Sequence, residues 1–466
     1  GEYVKRYFPG SRIVIGGLRD RDKAEAVMRI CGHFDFAIWG EGEYPLLELC
    51  RTLDDGTADL ARVPRLIFRG NGGALQASDI EAGRFFDLNS GTFPDYDDYF
   101  ACLKASGRSD ATVILPLESS RGCTWNACRF CVYSDGYENR KKDPGVLAEE
   151  INRLVDRYDT PYFAFMDNDI VANDHTRLER ILDSLISIRQ RRGVQCIAEV
   201  IHKGFTVEVM EKLPRAGLGR IHFGYESLSD RLLTKMRKRT SFSDSIFFVR
   251  FARRFGIALP SANVICGVPG EEDFDILECI DNLHFLRFYF DRDLFRHNII
   301  PLRIANHSDF HAMIPKDQLI KWDGNEIFHL LPAEMKRGVD RFSLFDFFAA
   351  SNGLWDIFAK MNDFYYGHEY GYSISREGSR IVYRESFDSQ PVLELEIGDL
   401  AYRILKGTNS KIVDLDDLLR SLAGCDAGID ERSVRAALDD LKERHLVYFN
   451  DTYGSIISVI DTDQIV

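Results

Sequence analysis

No run of apolar residues approaches the ~18 needed to cross a bilayer; patches such as Ile246–Val249 and Ile257–Pro260 are broken by Arg or Gly. Nothing at the start has the layout of a secretory signal, so the expected compartment is the cytoplasm and no membrane partner is expected. Positive charge is also short. Against 73 acidic residues stand 59 basic ones, a net −14. Such a chain repels phosphate backbones, which argues against a nucleic-acid partner. Pro (14) and Gly (36) are too few among 466 residues for a collagen-like or disordered chain. Repeats and low-complexity tracts are lacking. The length suggests about three domains.

Paired cysteines are lacking too. Seven of the ten stand singly (Cys31, Cys50, Cys102, Cys196, Cys266, Cys279, Cys425), as small core residues do, whereas Cys123, Cys128 and Cys131 fall within nine residues. A chain this large builds its own core without disulfides.

Residues 1–90 read as strand–helix–strand. Arg12–Ile15 ends in Gly16–Gly17 before an amphipathic stretch, Ala24–Ile30. Phe34–Trp39 ends in Gly40–Glu41–Gly42–Glu43 before a helix over Tyr44–Leu53. Val63–Phe68 and Ala74–Ala77 flank a hairpin signal, Gly70–Gly73. This order implies parallel pairing in a doubly wound sheet, with too few strands for a complete domain. Because the chain opens inside a helical pattern, Tyr3–Tyr7, upstream strands are expected to precede it.

Residues 91–110 read as a linker. Over 111–310, strands and helices alternate about every 30 residues. The expected strands are Thr112–Leu117, Tyr162–Met166, Val194–Val200, Arg220–Tyr225, Ala262–Cys266 and Asn298–Ile304. Helical spacing marks Val146–Tyr158, Thr176–Arg191, Thr206–Ala216, Ser243–Phe255 and Glu272–Phe288 between them. Six β/α units make a parallel barrel or partial barrel, with its chemistry at the strands' C-terminal ends. Residues 311–390 are irregular and aromatic-rich. Residues 391–466 read as three helices and two strands, the layout of a winged helix. Its net charge of −7 makes it a poor DNA reader and a better peptide or protein clamp.

The chemistry lies in Glu118–Ser–Ser–Arg–Gly–Cys123–Thr–Trp–Asn–Ala–Cys128–Arg–Phe–Cys131, directly after the first barrel strand. A structural zinc site wants four ligands. No second cysteine pair follows, and no His lies within forty residues of Cys131. Three thiolates in one loop suit a [4Fe–4S] cluster with one open iron, which an amine and a carboxylate can chelate. S-adenosylmethionine (SAM) carries both. Zinc completed by a distant His, or three buried thiols, are the alternatives.

The segment Thr112–Ala305 resembles a radical SAM enzyme, with four residues rather than three between the first two cysteines. That resemblance implies one-electron cleavage of SAM to a 5′-deoxyadenosyl radical, and a reducing donor such as flavodoxin or ferredoxin. It places Phe130 beside the adenine. Asp167–Asn168–Asp169 stands where the family often has Gly-Gly-Glu, so Asp167 and Asn168 become partners of the SAM amino group. Glu199, Glu226 and Ser227, at the third and fourth strand ends, are assigned to the ribose and methionyl part. Asn263–Glu271 resembles the family's fifth-strand region, with Gly267 near the adenine and Asn263 in place of a Gly.

Residues 10–50 resemble the last part of the cobalamin-binding domain that precedes many such barrels, with Gly16, Gly17, Gly40, Glu41 and Gly42 as cofactor-binding positions. Together with Phe93–Tyr99 and the C-terminal segment, the chain is most similar to radical SAM maturases of ribosomally made peptides. This implies a precursor-peptide partner and cobalamin-dependent C-methylation. A cobalamin-independent radical SAM enzyme (epimerase, cross-linker or small-molecule enzyme) and a non-catalytic iron–sulfur protein are the rival readings. The expected fold class is α/β: a partial (β/α)6 barrel between an incomplete doubly wound domain and a winged-helix-like domain. Cys196, Cys266 and Cys279 read as core thiols or hydrogen-atom donors, and Tyr133 and Tyr137 as substrate-facing or packing residues. Lys235–Arg239 reads as a solvated helix end that could steer an acidic leader peptide. His297, His307 and His311 lack metal spacing.

Overall fold

The computed structural model describes residues 1–55, 59–78, 80, 85–132, 138–319, 333–336, 346–348, 352–423 and 429–464. Tyr133, Tyr137 and Cys425 lie outside them. The chain divides into two compact units. One comprises Gly1–Phe93, Ser120–Asp143 and Leu302–Ala349, the other Pro94–Ser119, Pro144–Pro301 and Ala350–Val466. Among the described residues no helix is long and apolar enough to cross a membrane.

In the first unit, Val14–Leu18 pairs parallel with Phe36–Trp39, which pairs antiparallel with Leu66–Arg69, and Leu75–Ala77 closes the hairpin. Alternation decides which side each residue covers. Phe36 and Ile38 pack with Leu49 and Val63, while Ala37 and Trp39 pack with Ala24 and Met28. Both faces of this strand are therefore covered, as its unbroken apolar sequence requires. Asp20 starts the connecting helix Arg21–Ile30 by accepting from the Lys23 N–H at 2.8 Å.

In the second unit, Leu115–Leu117, Tyr162–Phe165, Gln195–Val200 and Arg220–Phe223 form a parallel sheet in chain order. Parallel bridges Arg220↔Ala258 and Glu226↔Val264 lead to Leu259–Cys266, which pairs parallel with Phe295–Pro301. Six successive parallel strands result. The expected strand Asn298–Ile304 does not run through. Pro301 lacks an N–H to continue the ladder, and Arg303–Ile304 instead pairs antiparallel with Phe347–Phe348 in the first unit.

Two further expectations need correction. The supposed linker holds a helix, Asp97–Ala105. Its approach docks on helix Pro144–Tyr158: Phe100 stacks on Tyr158 (centroids 4.7 Å apart) and Arg157 meets Asp95 at 3.0 Å. The segment expected to be irregular carries helix Leu354–Gly367 and a three-stranded antiparallel sheet, Tyr370–Glu377, Arg380–Phe387 and Gln390–Ile397.

The end of the chain forms helices Asp399–Gly407, Leu415–Ala423 and Glu431–Glu443 and a hairpin, Val447–Phe449 with Ile456–Ser458. It shares one core with the three-stranded sheet, through Ile374, Ile381, Tyr383 and Ile397. Both hairpin strands are fully buried. Arg250, 1% exposed on helix Phe242–Phe255, donates to the carbonyls of Ser458, Ile460 and Asn409.

Candidate functional site

The cysteines sit on a loop that a short ladder closes. Ser120–Arg121 pairs antiparallel with Arg140–Lys141, so the chain leaves at Gly122 and returns at Asn139. Gly122 has φ +81°, and a Cβ there would lie 3.2 Å from Asn139 Cα and from the Glu138 carbonyl oxygen. Only glycine lets the two backbones come this close. Cys123, Cys128 and Cys131 are half-buried and form no disulfide, and the Cys131 N–H donates to the Cys128 carbonyl at 3.1 Å. Phe130 is half-buried beside them.

Three cysteines on one loop offer one thiolate to each of three irons, a donor set that fits a [4Fe–4S] cluster with one open iron.

In the same unit, Gly40–Gly42 follow the carboxyl end of Phe36–Trp39, the usual place for a ligand in an α/β sheet, whereas Gly16–Gly17, expected to end their strand, lie inside Val14–Leu18 where its register with Phe36–Trp39 breaks. Gly16 and Gly17 are exposed, and a Cβ at Gly16, Gly17 or Gly42 would meet nothing within 4 Å. They form an open shelf. Gly40 differs: a Cβ there would lie 3.1 Å from the Arg65 guanidinium. Glu41 is buried, and its carboxylate is engaged by Arg140 and, at 3.1 Å, by Arg121.

In the second unit the strand ends divide into two kinds. Asp167 and Ser227 face inward. Asp167 accepts from the Ser119 N–H (2.9 Å) and Oγ (2.6 Å), latching the first strand end to the second. Ser227 is fully buried, its Oγ 3.4 Å from Cys279 Sγ. Asp169 accepts from the N–H groups of Val171, Ala172 and Ile201, and burial pushes its carboxyl up to about 6 against those hydrogen bonds. Gly267 (φ +79°) opens a turn that Glu271 holds through the N–H groups of Gly267 and Val268, both at 3.0 Å.

Glu199 is exposed, and Glu226 and Asn168 are half-buried. Lys238 pairs with Glu226 at 3.1 Å, lying where a Cβ on Gly224 would be. Burial, then the neighbouring Glu226, raises the Glu199 carboxyl, with Lys238 acting the other way. His222, the register partner of Glu199, shares its face of the sheet, and burial followed by Arg220 lowers its imidazole. Sequence reading passed over His222, although polar Arg220 and His222 alternate with buried Ile221 and Phe223. It also treated Lys235–Arg239 as solvated, whereas Lys235 pairs with Asp275, Lys238 with Glu226 and Arg239 with Asn173.

The remaining thiols are interior. Burial raises Cys196 and Cys279 to about 12 and Cys266 to about 11, and the Cys266 thiol donates to the Ile300 carbonyl at 3.4 Å.

Residues 117–283, which contain the cysteine loop and the second to fifth parallel strands, match the radical SAM superfamily. Members of this superfamily use a [4Fe–4S] cluster and SAM. The chain is 27% identical over 262 residues to an uncharacterized methyltransferase of Pyrococcus horikoshii, covering 56% of this chain and 54% of that protein. It thus spans about half the length of that relative.

Among solved structures, the chain is similar to the radical SAM methyltransferase TsrM from Kitasatospora setae, solved with tryptophan substrate and a SAM analogue. The TM-score is 0.60 at 18% identity, over 78% of this chain and 73% of that one. It is also similar to the cobalamin-dependent SAM radical enzyme OxsB, solved with aqua-cobalamin and SAM. There the TM-score is 0.57 at 15% identity, over 77% and 55% of the two chains. At these identities the likeness is one of fold, and it reaches beyond the radical SAM domain.

Proposed function

We propose that this chain is a cobalamin-dependent radical SAM methyltransferase that C-methylates a ribosomally made precursor peptide at an unactivated carbon. One observation carries the reading: the three-cysteine loop and the glycine shelf belong to a single compact unit. When bound, the cluster and SAM supply the radical that activates carbon, and cobalamin supplies the methyl carrier.

The residues of the chain bind and orient these groups. Cys123, Cys128 and Cys131 hold the cluster. Backbone at Gly16, Gly17 and Gly42 gives cobalamin a surface without side chains. In the second unit Glu199, the Glu226–Lys238 pair and Asn168 offer charged and polar partners to SAM, while Asp167 and Ser227 keep the strand ends in place. Half-buried Phe130 is the adenine-side aromatic. A small reducing protein, flavodoxin or ferredoxin, delivers the electron.

The likeness to TsrM and OxsB supports the use of cobalamin, and the methyltransferase name of the P. horikoshii relative supports the transfer. The motifs of residues 93–99 and the C-terminal segment support a peptide substrate.

The test combines anaerobically reconstituted protein, cobalamin, SAM, a reductant and a candidate precursor peptide. The expected outcome is bound cobalamin and a peptide heavier by one CH₂ unit. SAM cleavage without bound cobalamin, leaving the peptide mass unchanged, removes the methyltransferase reading in favour of an epimerase.

A further inference from the structure

Glu41 stands between two arginines that face each other across the ladder beneath the cysteine loop. Arg121 on the outgoing strand and Arg140 on the returning strand are register partners, so their side chains leave the same face. Like charges directly opposite each other weaken an antiparallel pair. This ladder is only two residues long on each side. It lacks the length to absorb such repulsion.

The buried Glu41 carboxylate meets both cations, one oxygen facing Arg140 and the other 3.1 Å from Arg121. The Phe86 N–H also donates to Glu41, at 3.3 Å, and Arg140 donates to the Phe86 carbonyl. Glu43 gives Arg121 a second carboxylate at 2.7 Å. Arg140 has no second carboxylate partner among the described residues, and its guanidinium covers the Phe85 ring at 4.9 Å. One acidic side chain, on the turn between Gly40 and Gly42, thus balances both strands that carry the metal-binding loop.

We propose that Glu41 is a positioning residue for the cluster: its charge holds the Arg121–Arg140 ladder closed and fixes the cysteine loop to the glycine-lined turn. The sequence alone placed Glu41 among the cofactor-contacting positions. Its burial and its two arginines give it this other work. The inference rests on the reading that Cys123, Cys128 and Cys131 hold a cluster.

The experiment compares the full chain with Glu41→Gln, Arg140→Met and the double variant. Two readouts are used: iron and sulfide per chain after anaerobic reconstitution, and amide hydrogen exchange at 120–121 and 140–141 in iron-free protein. E41Q is expected to load at least threefold less iron and to exchange the ladder amides at least tenfold faster. E41Q/R140M, which removes the unbalanced cation with the carboxylate, is expected to recover at least half of the lost iron and protection. A merely structural role for the Glu41 hydrogen bonds predicts the opposite, a double variant worse than either single one.

E41Q that loads iron and protects its ladder like the parent overturns the proposal, as does a double variant that shows no recovery. Should E41Q fail to fold, the double variant decides alone: folding and loading support charge balance, and failure overturns it. A parent chain that takes up no iron and sulfide sinks the cluster reading instead, while hydrogen exchange still tests the ladder.

Discussion

Arg287 grips Glu385 inside the second unit, donating from two guanidinium nitrogens to the two carboxylate oxygens at 2.9 Å each, with its side chain 1% exposed. Tyr383 adds a third hydrogen bond to Glu385 at 2.7 Å, and Arg287 also donates to the carbonyls of His284 and His445. The pair ties the end of the fifth β/α repeat to the three-stranded sheet and the C-terminal helices.

Arg287→Met leaves a buried carboxylate without its cation and is expected to cost about 3–5 kcal/mol. Burial by itself would raise the Glu385 carboxyl, but the hydrogen bonds and charge of Arg287 outweigh it and hold it below its usual value. The stabilisation is therefore complete above the unfolded carboxylate value of about 4.3 and lost as pH falls through the lower folded value. Urea midpoints should separate parent from R287M at pH 7 and converge below about pH 4. Equal midpoints at pH 7 would contradict the assignment.

Burial keeps two histidines neutral: it lowers His202 to about 3, with Lys238 adding to the effect, and His297 to about 4 against the hydrogen bond its ring donates to Asn362. In the unfolded chain each accepts a proton near pH 6.5. Their stabilisation is whole above that value and declines as pH falls, by up to about 2 kcal/mol each at pH 5. Asp169, raised to about 6, acts oppositely over part of this range, so the comparison is between parent and His297→Gln. The parent should lose more stability than H297Q between pH 7 and pH 5. Parallel losses would refute a neutral buried His297.

Gly122→Ala tests the closing of the cysteine loop. A left-handed backbone costs a side-chain-bearing residue about 1–2 kcal/mol, and here the methyl group also meets the backbone of Glu138 and Asn139. Iron uptake should fall while the far-UV spectrum stays as in the parent. Full iron loading in G122A would show that the loop tolerates another path.

Much of the architecture was legible because its signals are local. The parallel strand order of the second unit follows from apolar runs spaced by helical patterns, and the cysteine spacing named the loop. The three-stranded sheet was missed although its first turn, Gly378–Ser379 between Glu377 and Arg380, is an ordinary hairpin signal. Its second turn is atypical, joining Phe387 to Gln390 through Asp388 (φ +47°) and Ser389 (φ +63°), a positive-φ pair usually marked by Asn-Gly. The outer strand Gln390–Ile397 is largely exposed, but its alternation of Leu393, Leu395 and Ile397 with Glu394 and Glu396 is a strand signal that sequence reading passed over. A boundary at residue 391 therefore cuts a strand, and deleting 391–466 is expected to expose Ile381 and Tyr383 and destabilise the second unit rather than uncouple peptide binding.

The site was legible only where chemistry needs clustering. Cys123, Cys128 and Cys131 lie close in sequence. The partners of Glu41 and Lys238 do not: Glu41 and Arg140 stand 99 residues apart, and their pairing follows from tertiary contact alone. Asp167 and Ser227 sit at the expected strand ends, but burial turns both into supports of the fold.

Electron paramagnetic resonance of anaerobically reconstituted, reduced protein, recorded with and without SAM, bears most directly on the cysteine loop. The expected spectrum is that of one reduced [4Fe–4S] cluster per chain, altered when SAM is added and absent from Cys128→Ala, which also forms no 5′-deoxyadenosine. Protein that takes up zinc in place of iron, or a cluster signal that persists in C128A and is indifferent to SAM, would contradict it.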